Sequence, residues 1–430
     1  MATKKTLGRN VTDMPVATED QYLKAQEVAS LLRIKLQTLY VYVSRGLVRR
    51  IRSDQHRGFL YLREDVEQLA KRGRSKVEGS DAKFGAPFWS QPVVRTSITE
   101  IKPEGPCYRG IAAVDLASNG EHFENVAEMI WTGLLNEDPI FWEVSQPGKL
   151  QVAVLQALQQ EVKKARVDPI RKFSMLVASL AVSEAGNDDI RAGTTIACAR
   201  ALLRLLAACL CHLRPSDKLA VAGPDLSIAA QIAQVLELDP AAAEAIDIAL
   251  VLLADHQLTP QTVAVRLAAS SGASLHHCLN SALSVHSSSR ARRACDRIED
   301  LLLSSGDDGA QFCAMLERQR GSNGVASGLD HPLYPNGDPR ALLLLATAQG
   351  YLQSGNCSNR FANHIAMVQS RPGLRPGVET GLVLLCHALG MPERSAVALL
   401  TLSRCAGWIG HVIEQRTAGL MLRPRNRYRG

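Results

Sequence analysis

From residue 93 onward, the hydrophobic positions of the chain follow a helical period. Apolar residues recur at spacings of three and four in segments that clusters of Gly, Pro, Asn and Asp separate. These segments are residues 126–134, 150–164, 170–185, 194–213, 227–236, 240–253, 341–353, 379–389 and 393–415. One short stretch, residues 94–101, alternates with period two and predicts a pair of strands. The pattern therefore predicts a large all-α unit over residues 93–430.

The beginning of the chain has a different pattern. After an N-terminal tail (residues 1–20), a short amphipathic helix at 26–32 is followed by a tight turn and a second helix that starts near Leu36. Residues 47–62 form two alternating runs around a polar turn, which predicts a β-hairpin, and residues 63–71 predict a closing helix. This order is typical of a winged helix-turn-helix module over residues 21–72 and resembles the MerR/excisionase type. Residues 73–92 are rich in Gly, Ser and Pro and predict a linker.

The positive charge of the chain lies in this small unit. Residues 1–75 contain fifteen Lys and Arg against eight Asp and Glu, a surplus that equals the formal charge of +7 of the whole chain. A basic helix-turn-helix module predicts binding to duplex DNA, with the second helix in the major groove and the hairpin on phosphates. The predicted DNA-binding residues are Gln37, Thr38, Tyr40, Tyr42, Arg45, Arg49, Arg50, Arg52 and Arg57. The alternative is a solvated basic face that makes oligomer contacts.

Length and composition narrow the class of protein. A chain of 430 residues exceeds one ordinary core, and 46% hydrophobic with 21% charged residues excludes collagen-like and disordered proteins. The longest apolar run, residues 196–213, contains Arg200 and Arg204, which favours a buried helix over a membrane span. The N-terminus has no apolar stretch typical of a signal peptide, so we expect a cytoplasmic protein without membrane contact. The ten cysteines show no CxxC spacing, so we predict reduced thiols and no metal site.

Several motifs of the large unit resemble the citrate synthase family in the same order along the chain. They are Tyr-Arg-Gly at 108–110, Asp-Leu-Ala at 115–117, Trp-Thr-Gly at 131–133, LLADHQLTPQT at 252–262, DHPLYPNGDPRA at 330–341, SRCAGWIGHVIEQ at 403–415 and LRPRNRYRG at 422–430. The resemblance covers residues 93–430. It implies an all-α large body with a smaller lid domain at about 255–365, and a transferase activity of the tricarboxylic acid cycle that joins acyl-CoA to oxaloacetate.

The resemblance also implies roles for particular residues. His256, Arg340, Arg404 and Arg423 stand where the family binds oxaloacetate or citrate, and His331 stands at the residue that polarises the ketone. Arginine forks and histidines suit small polycarboxylates, which agrees with these roles. Arg423 is expected to reach the site of a partner subunit, which implies a homodimer. No bound cofactor is implied, and acetyl-CoA or another acyl-CoA is the expected co-substrate.

The thioester half of the site departs from the family pattern. Ala291 stands where the family has a histidine that stabilises the enolate, and Arg292 and Arg293 replace two glycines. His286 lies five residues upstream, and we expect it to substitute only if the connection is rebuilt. Glu379 replaces the family's catalytic Asp with an arm one methylene longer. A lost acid–base partner costs roughly 10²–10⁴ in rate, so we predict weakened turnover. The cluster of Arg290, Arg292 and Arg293 is either solvated or captures an anion.

Two classes of function therefore remain open from the sequence. One is an acyltransferase of the citrate synthase type with altered catalytic residues. The other is a DNA-binding transcriptional regulator that senses oxaloacetate or citrate. A variant of the first is an inactive partner that forms a heterodimer with an active paralogue and lends it Arg423.

Overall fold

The computed structural model describes residues 22–32, 36, 39, 48, 50–52, 59–63, 66, 95–143, 148–162, 168–183, 194–213, 226–319, 328–354 and 359–422. Its contacts divide the chain into two units, residues 1–91 and residues 92–430. The predicted boundaries of the tail, the linker and the lid would divide these two units further, and they stay predictions.

The first unit contains a small antiparallel sheet and a helix. Strands β1 (Tyr22–Lys24), β2 (Arg50–Arg52) and β3 (Phe59–Leu62) are arranged in the order β1-β3-β2, and helix α1 spans Ala25–Leu32. Arg50 pairs with Tyr61 across β2 and β3, in the segment from which a hairpin is predicted. The fully buried Val28, Leu39 and Val66 form the core of this unit with Tyr61.

Most of the predicted DNA-binding surface lies outside the described residues. Arg50 and Arg52 lie on β2. The remaining predicted contacts, which are Gln37, Thr38, Tyr40, Tyr42, Arg45, Arg49 and Arg57, are not among the described residues. The helix-turn-helix module and its binding to DNA therefore stay predictions.

The second unit begins with a three-stranded antiparallel sheet. Strands β4 (Thr99–Lys102), β5 (Gly105–Tyr108) and β6 (Ile111–Ala112) follow each other along the chain and across the sheet. The prediction of two strands at 94–101 is wrong, because the described residues 95–101 contain one strand only, and its partner is β5. Ser97 has another role, since its backbone N–H and its hydroxyl both donate to the Glu414 carboxylate.

The rest of the unit is helical, and every predicted helical segment overlaps a helix. The described helices are α2 (Ala113–Ser118), α3 (Phe123–Thr132), α4 (Lys149–Val162), α5 (Pro169–Ser183), α6 (Thr194–Ala208) with a 3₁₀ extension (Cys209–Leu213), α7 (Ile228–Val235), α8 (Ala242–Leu253), α9 (Pro260–Ser270), α10 (Leu275–His286), α11 (Arg290–Ser304), α12 (Gly309–Arg318), α13 (Pro339–Gln353), a 3₁₀ turn (Asn359–Phe361), α14 (Ala362–Ser370), α15 (Val378–Ala388) and α16 (Ser395–Ala418). The mainly α prediction is confirmed for this unit.

Four consecutive helices, α9 to α12, were not predicted, although the sequence marks their starts. Their side-chain caps are Thr259, Ser274, Ser289 and Asp308, each of which accepts a backbone N–H of the following first turn. Polar residues interrupt the apolar period of these helices, so the caps were the stronger signal.

Helix α16 is the central helix of the second unit. Thr194–Leu213 and Ser395–Ala418 are both long and apolar enough to cross a membrane, but most of each is buried inside the fold, as in core helices. Gly407 allows α16 to touch the end of α8, since a Cβ there would lie 2.5 Å from the Ala254 carbonyl oxygen. The Gly407 N–H donates to the same oxygen at 3.1 Å. This close approach brings Arg404 of α16 near His256.

Candidate functional site

A cavity of about 460 Å³ lies between the ends of several helices of the second unit. Its lining includes every described residue for which a role in catalysis or keto-acid binding is predicted, namely His256, His331, Arg340, Glu379 and Arg404. Arg423, the remaining predicted residue, lies outside the described residues. The structure thus brings together five residues that are up to 148 positions apart, while their roles stay predictions.

Two histidines, His256 and His331, line the cavity, and the buried Tyr334 contacts both of their rings. His256 Nε2 and the Tyr334 hydroxyl share a hydrogen bond of 2.9 Å, and the His256 and His331 rings meet edge-on with centroids 5.5 Å apart. The Leu333 backbone N–H donates to His331 Nδ1 at 3.2 Å. Because Nδ1 accepts, a neutral His331 carries its proton on Nε2, where it can donate to a ligand.

Arg340 is fixed by a buried carboxylate. Its Nε and Nη2 donate to the two oxygens of Asp338 at 3.0 and 2.7 Å, and both side chains are almost fully buried. Asp338 also caps helix α13, with Pro339 in the first turn, so the local chain geometry holds the acid beside the arginine. The Arg340 guanidinium lies 5.4 Å from the centre of the Tyr334 ring. Burial opposes the charge, but Asp338 raises the pKa of Arg340 above its ordinary value.

Arg404 has no comparable acid beside it. Burial and the charge of Arg340 lower the pKa of Arg404 from its usual value. Nη1 of Arg340 and Nη1 of Arg404 are both buried and have no hydrogen-bond partner among the described residues. A buried charged donor without a partner is costly, so these two atoms favour an anionic ligand in the cavity.

The histidines of the cavity are neutral. Burial, followed by the charges of Arg340 and Arg404, lowers the pKa of His256 well below its ordinary value. Burial and Arg340 likewise lower the pKa of His331. Burial raises the pKa of Tyr334 to about 12, which keeps the phenol protonated. The two neutral histidines therefore offer hydrogen-bond donors to the cavity, while Arg340 and Arg404 supply its positive charge.

Glu379 lies in the first turn of α15, on a segment that is tied to the His331 loop. Leu329 forms an isolated β-bridge with Pro376, and the Gly377 N–H donates to the Gly328 carbonyl at 2.8 Å. A Cβ at position 377 would lie 3.1 Å from Glu379 Oε2, so the glycine leaves room for the longer acid. Burial raises the pKa of Glu379, which makes it a stronger base once it is ionised.

Buried hydrogen bonds to Asp255, the residue before His256, fix the segment that carries His256. The Thr99 hydroxyl donates to Asp255 Oδ2 at 2.6 Å, and His411 Nε2 lies 3.3 Å from the same oxygen. The next residue after His256, Gln257, has a φ of 63°, and the residue before His331, Asp330, has a φ of 49°. Left-handed backbone at non-glycine residues is uncommon and is frequently found at binding sites.

The altered part of the site lies at the connection between α10 and α11. His286 ends α10, residues 287–289 form the connection, and α11 begins at Arg290, so Ala291 lies in its first turn. His286, Arg290 and Ala291 all line the cavity. Arg292 does not line it but pairs with Asp168 and Asp296, each at 3.1 Å. The predicted arginine cluster is thus divided between an ion-paired residue and a residue at the cavity.

Sequence reasoning missed three polar residues of the site. Asp338 and Tyr334 lie inside the motif at 330–341 and bond to the lining residues Arg340 and His256, whereas Gln261 lines the cavity itself. The Asp-Pro-Arg order at 338–340 was a usable signal, because an acid before a first-turn Pro is typical of a helix cap. Nothing in the sequence indicates that Tyr334 faces His256. Among the described residues, no group of three or more His, Cys, Asp or Glu is arranged to hold a metal ion.

Comparisons with known proteins point in one direction. The family model described as "Citrate synthase, C-terminal domain" matches residues 87–425. Citrate synthase of Acidithiobacillus ferridurans is 25% identical over 346 residues, covering 75% of this chain and 89% of the relative. Citrate synthase 2 of Bacillus subtilis is also 25% identical, over 352 residues that cover 78% and 93% of the two chains. The match to Haloferax volcanii citrate synthase, 27% over 191 residues, spans half of that relative.

Solved structures share the fold. Citrate synthase from Pyrobaculum aerophilum aligns with a TM-score of 0.62 at 21% identity, covering 82% of this chain and 97% of that structure. A ternary complex of the Thermoplasma acidophilum citrate synthase with carboxymethyl coenzyme A and oxaloacetate aligns with a TM-score of 0.61 at 18% identity, covering 79% and 94%. At these identities the structural likeness establishes the fold alone.

Proposed function

Because the chain belongs to the citrate synthase family, we propose that its cavity binds oxaloacetate and condenses it with the acyl group of an acyl-CoA. The observation that carries this proposal is the pair of buried Nη1 atoms of Arg340 and Arg404, which have no partner within the described part of the chain. Both arginines line one cavity with three histidines. Bidentate contacts between arginine and carboxylate suit a dicarboxylate of this size. His256 and His331 are neutral donors for the keto oxygen and the remaining carboxylate oxygen.

The reaction follows from the same residues. Glu379 removes a proton from the α-carbon of the thioester, and the resulting carbanion equivalent attacks the keto carbon of oxaloacetate. The Nε2–H of His331 donates to the keto oxygen as negative charge develops there. Water then cleaves the thioester, so that oxaloacetate, acyl-CoA and water yield citrate or an alkylcitrate and free CoA. Arg423, by family resemblance, is expected to complete the site from a partner subunit of the dimer.

The test is thiol release by the purified full-length protein with acetyl-CoA or propionyl-CoA. We expect release that requires oxaloacetate, at a rate below the ordinary range of about 1–10³ per second, and that Glu379→Gln abolishes. Calorimetry should show oxaloacetate binding that Glu379→Gln leaves intact. Oxaloacetate binding without any thiol release, from either thioester, would refute the condensation.

Binding without turnover is the second candidate, and a specific observation favours it. Ala291, which is predicted to stand at the family's histidine position, lines the cavity, and its methyl group donates no hydrogen bond. A protein of this kind would sense oxaloacetate or citrate, either as a DNA-binding regulator or as an inactive subunit beside an active paralogue. Salt-sensitive binding of the full chain to duplex DNA, changed by citrate, would support the regulator.

A further inference from the structure

His286 is a buried side chain of the cavity that the reaction described above does not use. It is 3% exposed, and its ring meets that of Trp408 edge-on with centroids 5.6 Å apart. Gln261 Nε2 lies 3.5 Å from His286 Nδ1, while His286 Nε2 is buried without a hydrogen-bond partner among the described residues. His286 thus lines the cavity and has one buried polar atom, Nε2, without a partner among the described residues.

The proton of the ring lies on this unused atom. Burial, followed by the charges of Arg404 and Arg292, lowers the pKa of His286 to about 3, so the ring is neutral at physiological pH. An amide nitrogen can only donate, so Nδ1 accepts from Gln261 and Nε2 carries the hydrogen. A neutral imidazole with a buried, unpartnered N–H is suited to stabilise a developing oxyanion.

Other buried histidines of the described chain do not share this arrangement. His364 Nε2 bonds to the Ser305 hydroxyl at 3.1 Å, and its Nδ1 has no partner among the described residues, but His364 does not line the cavity. The partly buried His387 pairs with Glu299. His212 also has unpartnered ring nitrogens, but it does not line the cavity. His286 therefore combines an unpartnered donor with a position on the lining of the cavity that also contains the predicted base, Glu379.

We propose that His286 is a catalytic residue, which donates its Nε2–H to the thioester oxygen of the acyl-CoA. This inference rests on the proposed condensation. When Glu379 takes the α-proton, the electron pair of the C–H bond moves into the thioester and its oxygen becomes negative. His286 stabilises that oxygen until the enolate carbon attacks the keto carbon and the thioester carbonyl is restored. The donor that Ala291 lacks is thus supplied from the other end of the connection between α10 and α11.

Two variants of His286 and one matched control test the role. His286→Phe keeps a ring but removes the donor, while His286→Gln keeps an amide N–H at a similar reach. His212→Phe removes a buried histidine that is remote from the cavity. We expect His286→Phe to lower kcat for thiol release roughly 10²–10³-fold without changing the affinity for oxaloacetate. His286→Gln should recover part of the loss, and the control should keep wild-type kcat.

A second measurement does not require turnover. Carboxymethyl-CoA carries a carboxylate one bond further from the sulfur than the enolate oxygen and cannot react. With saturating oxaloacetate, calorimetry should show that His286→Phe binds this probe at least about tenfold more weakly than the wild type. In the wild type itself, binding of the probe should shift the ¹⁵N resonance of His286 Nε2, which keeps the test independent of how the variants fold.

The outcomes separate the two proposals. If the wild type releases thiol and His286→Phe does so equally fast, the role of His286 is refuted while the condensation stands. If the wild type releases no thiol but binds carboxymethyl-CoA in a way that depends on His286, the condensation fails and the donor stands. If the wild type binds no carboxymethyl-CoA, or the His286 resonance does not move, the donor role is overturned.

Discussion

Two arginines of one cavity are expected to affect the stability of the ligand-free protein in opposite directions. Arg340 is paired with Asp338 through two hydrogen bonds, whereas Arg404 has a buried Nη1 without a partner among the described residues. Replacing each by Met removes a charge and keeps a flexible apolar side chain. The difference between the two variants therefore measures the effect of Asp338.

The magnitudes follow from burial. Arg340→Met leaves the fully buried carboxylate of Asp338 without its cation, which should lower the free energy of unfolding by about 3–5 kcal/mol. Arg404→Met removes a buried charge that the ligand-free site does not neutralise, so it should raise that free energy by about 1–3 kcal/mol. Both variants lose charge-assisted hydrogen bonds of about 1.5–3 kcal/mol to a carboxylate ligand.

The assay is chemical unfolding with and without oxaloacetate. In the wild type, ligand at a hundred times its Kd should add about 2.7 kcal/mol to the free energy of unfolding. Both variants should lose between about half and nearly all of this gain, because each binds roughly 10- to 150-fold more weakly. If Arg404→Met destabilises the ligand-free protein as much as Arg340→Met does, Arg404 is compensated in the free protein and the reasoning from its unpartnered Nη1 is refuted.

Three substitutions and one pH profile test other parts of the site and the core. Gly377→Ala should slow thiol release about tenfold or more by crowding the Glu379 carboxylate while oxaloacetate affinity stays unchanged; equal kcat would contradict the fit between the two residues. Burial raises the pKa of Glu379 from its ordinary value of 4.5, so kcat should rise with pH with an apparent pKa above 4.5. An apparent pKa below 4.5 would contradict its role as the base. Burial lowers the pKa of His212 to about 4, so the unfolded chain binds a proton at this residue before the folded chain does as the pH falls. The free energy of unfolding should therefore be highest above about pH 6.5 and should decrease by about 3 kcal/mol toward pH 4. His212→Leu should reduce this dependence on pH. Tyr334→Phe should weaken oxaloacetate binding severalfold, since His256 Nε2 loses its 2.9 Å partner, whereas unchanged calorimetry would mean that this hydrogen bond does not orient the ring.

The sequence predicted the helices with a strong apolar period and missed those without one. Helix α11 reads RARRACDRIEDLLLS, and its charged first half hides the apolar face that packs Ala294, Ile298 and Leu302 into the core. Its cap, Ser289, was visible in the sequence. Periodicity depends on the whole helix, whereas a cap depends on one local hydrogen bond, so the cap survives when the apolar face is narrow.

The residues of the site were found by motif, but their pairing was not. Asp338 neutralises Arg340 because the fold buries the two side chains together, and no acid is paired with Arg404 among the described residues. The approach of Gly407 to Ala254 joins positions 153 residues apart, and no local pattern specifies such a contact. The position of His286 on the cavity was likewise not predictable. His286 precedes Ala291 by five residues, but one helix ends at His286 and the next begins at Arg290, so the sequence separation does not give their distance in space.

The charges of the cavity couple keto-acid binding to the strength of the base. Burial raises the pKa of Glu379, Asp338 raises it further, and the positive charges of Arg340 and Arg404 lower it. A bound dicarboxylate offsets those two positive charges and adds negative charge near the acid, so it raises the pKa of Glu379 again. The carboxylate is then a stronger base when oxaloacetate is present than when it is absent. By reciprocity, protonation of Glu379 strengthens oxaloacetate binding by the same factor. In the proposed reaction, Glu379 is therefore a stronger base once oxaloacetate is bound, although the same coupling lowers its ionised fraction at a given pH.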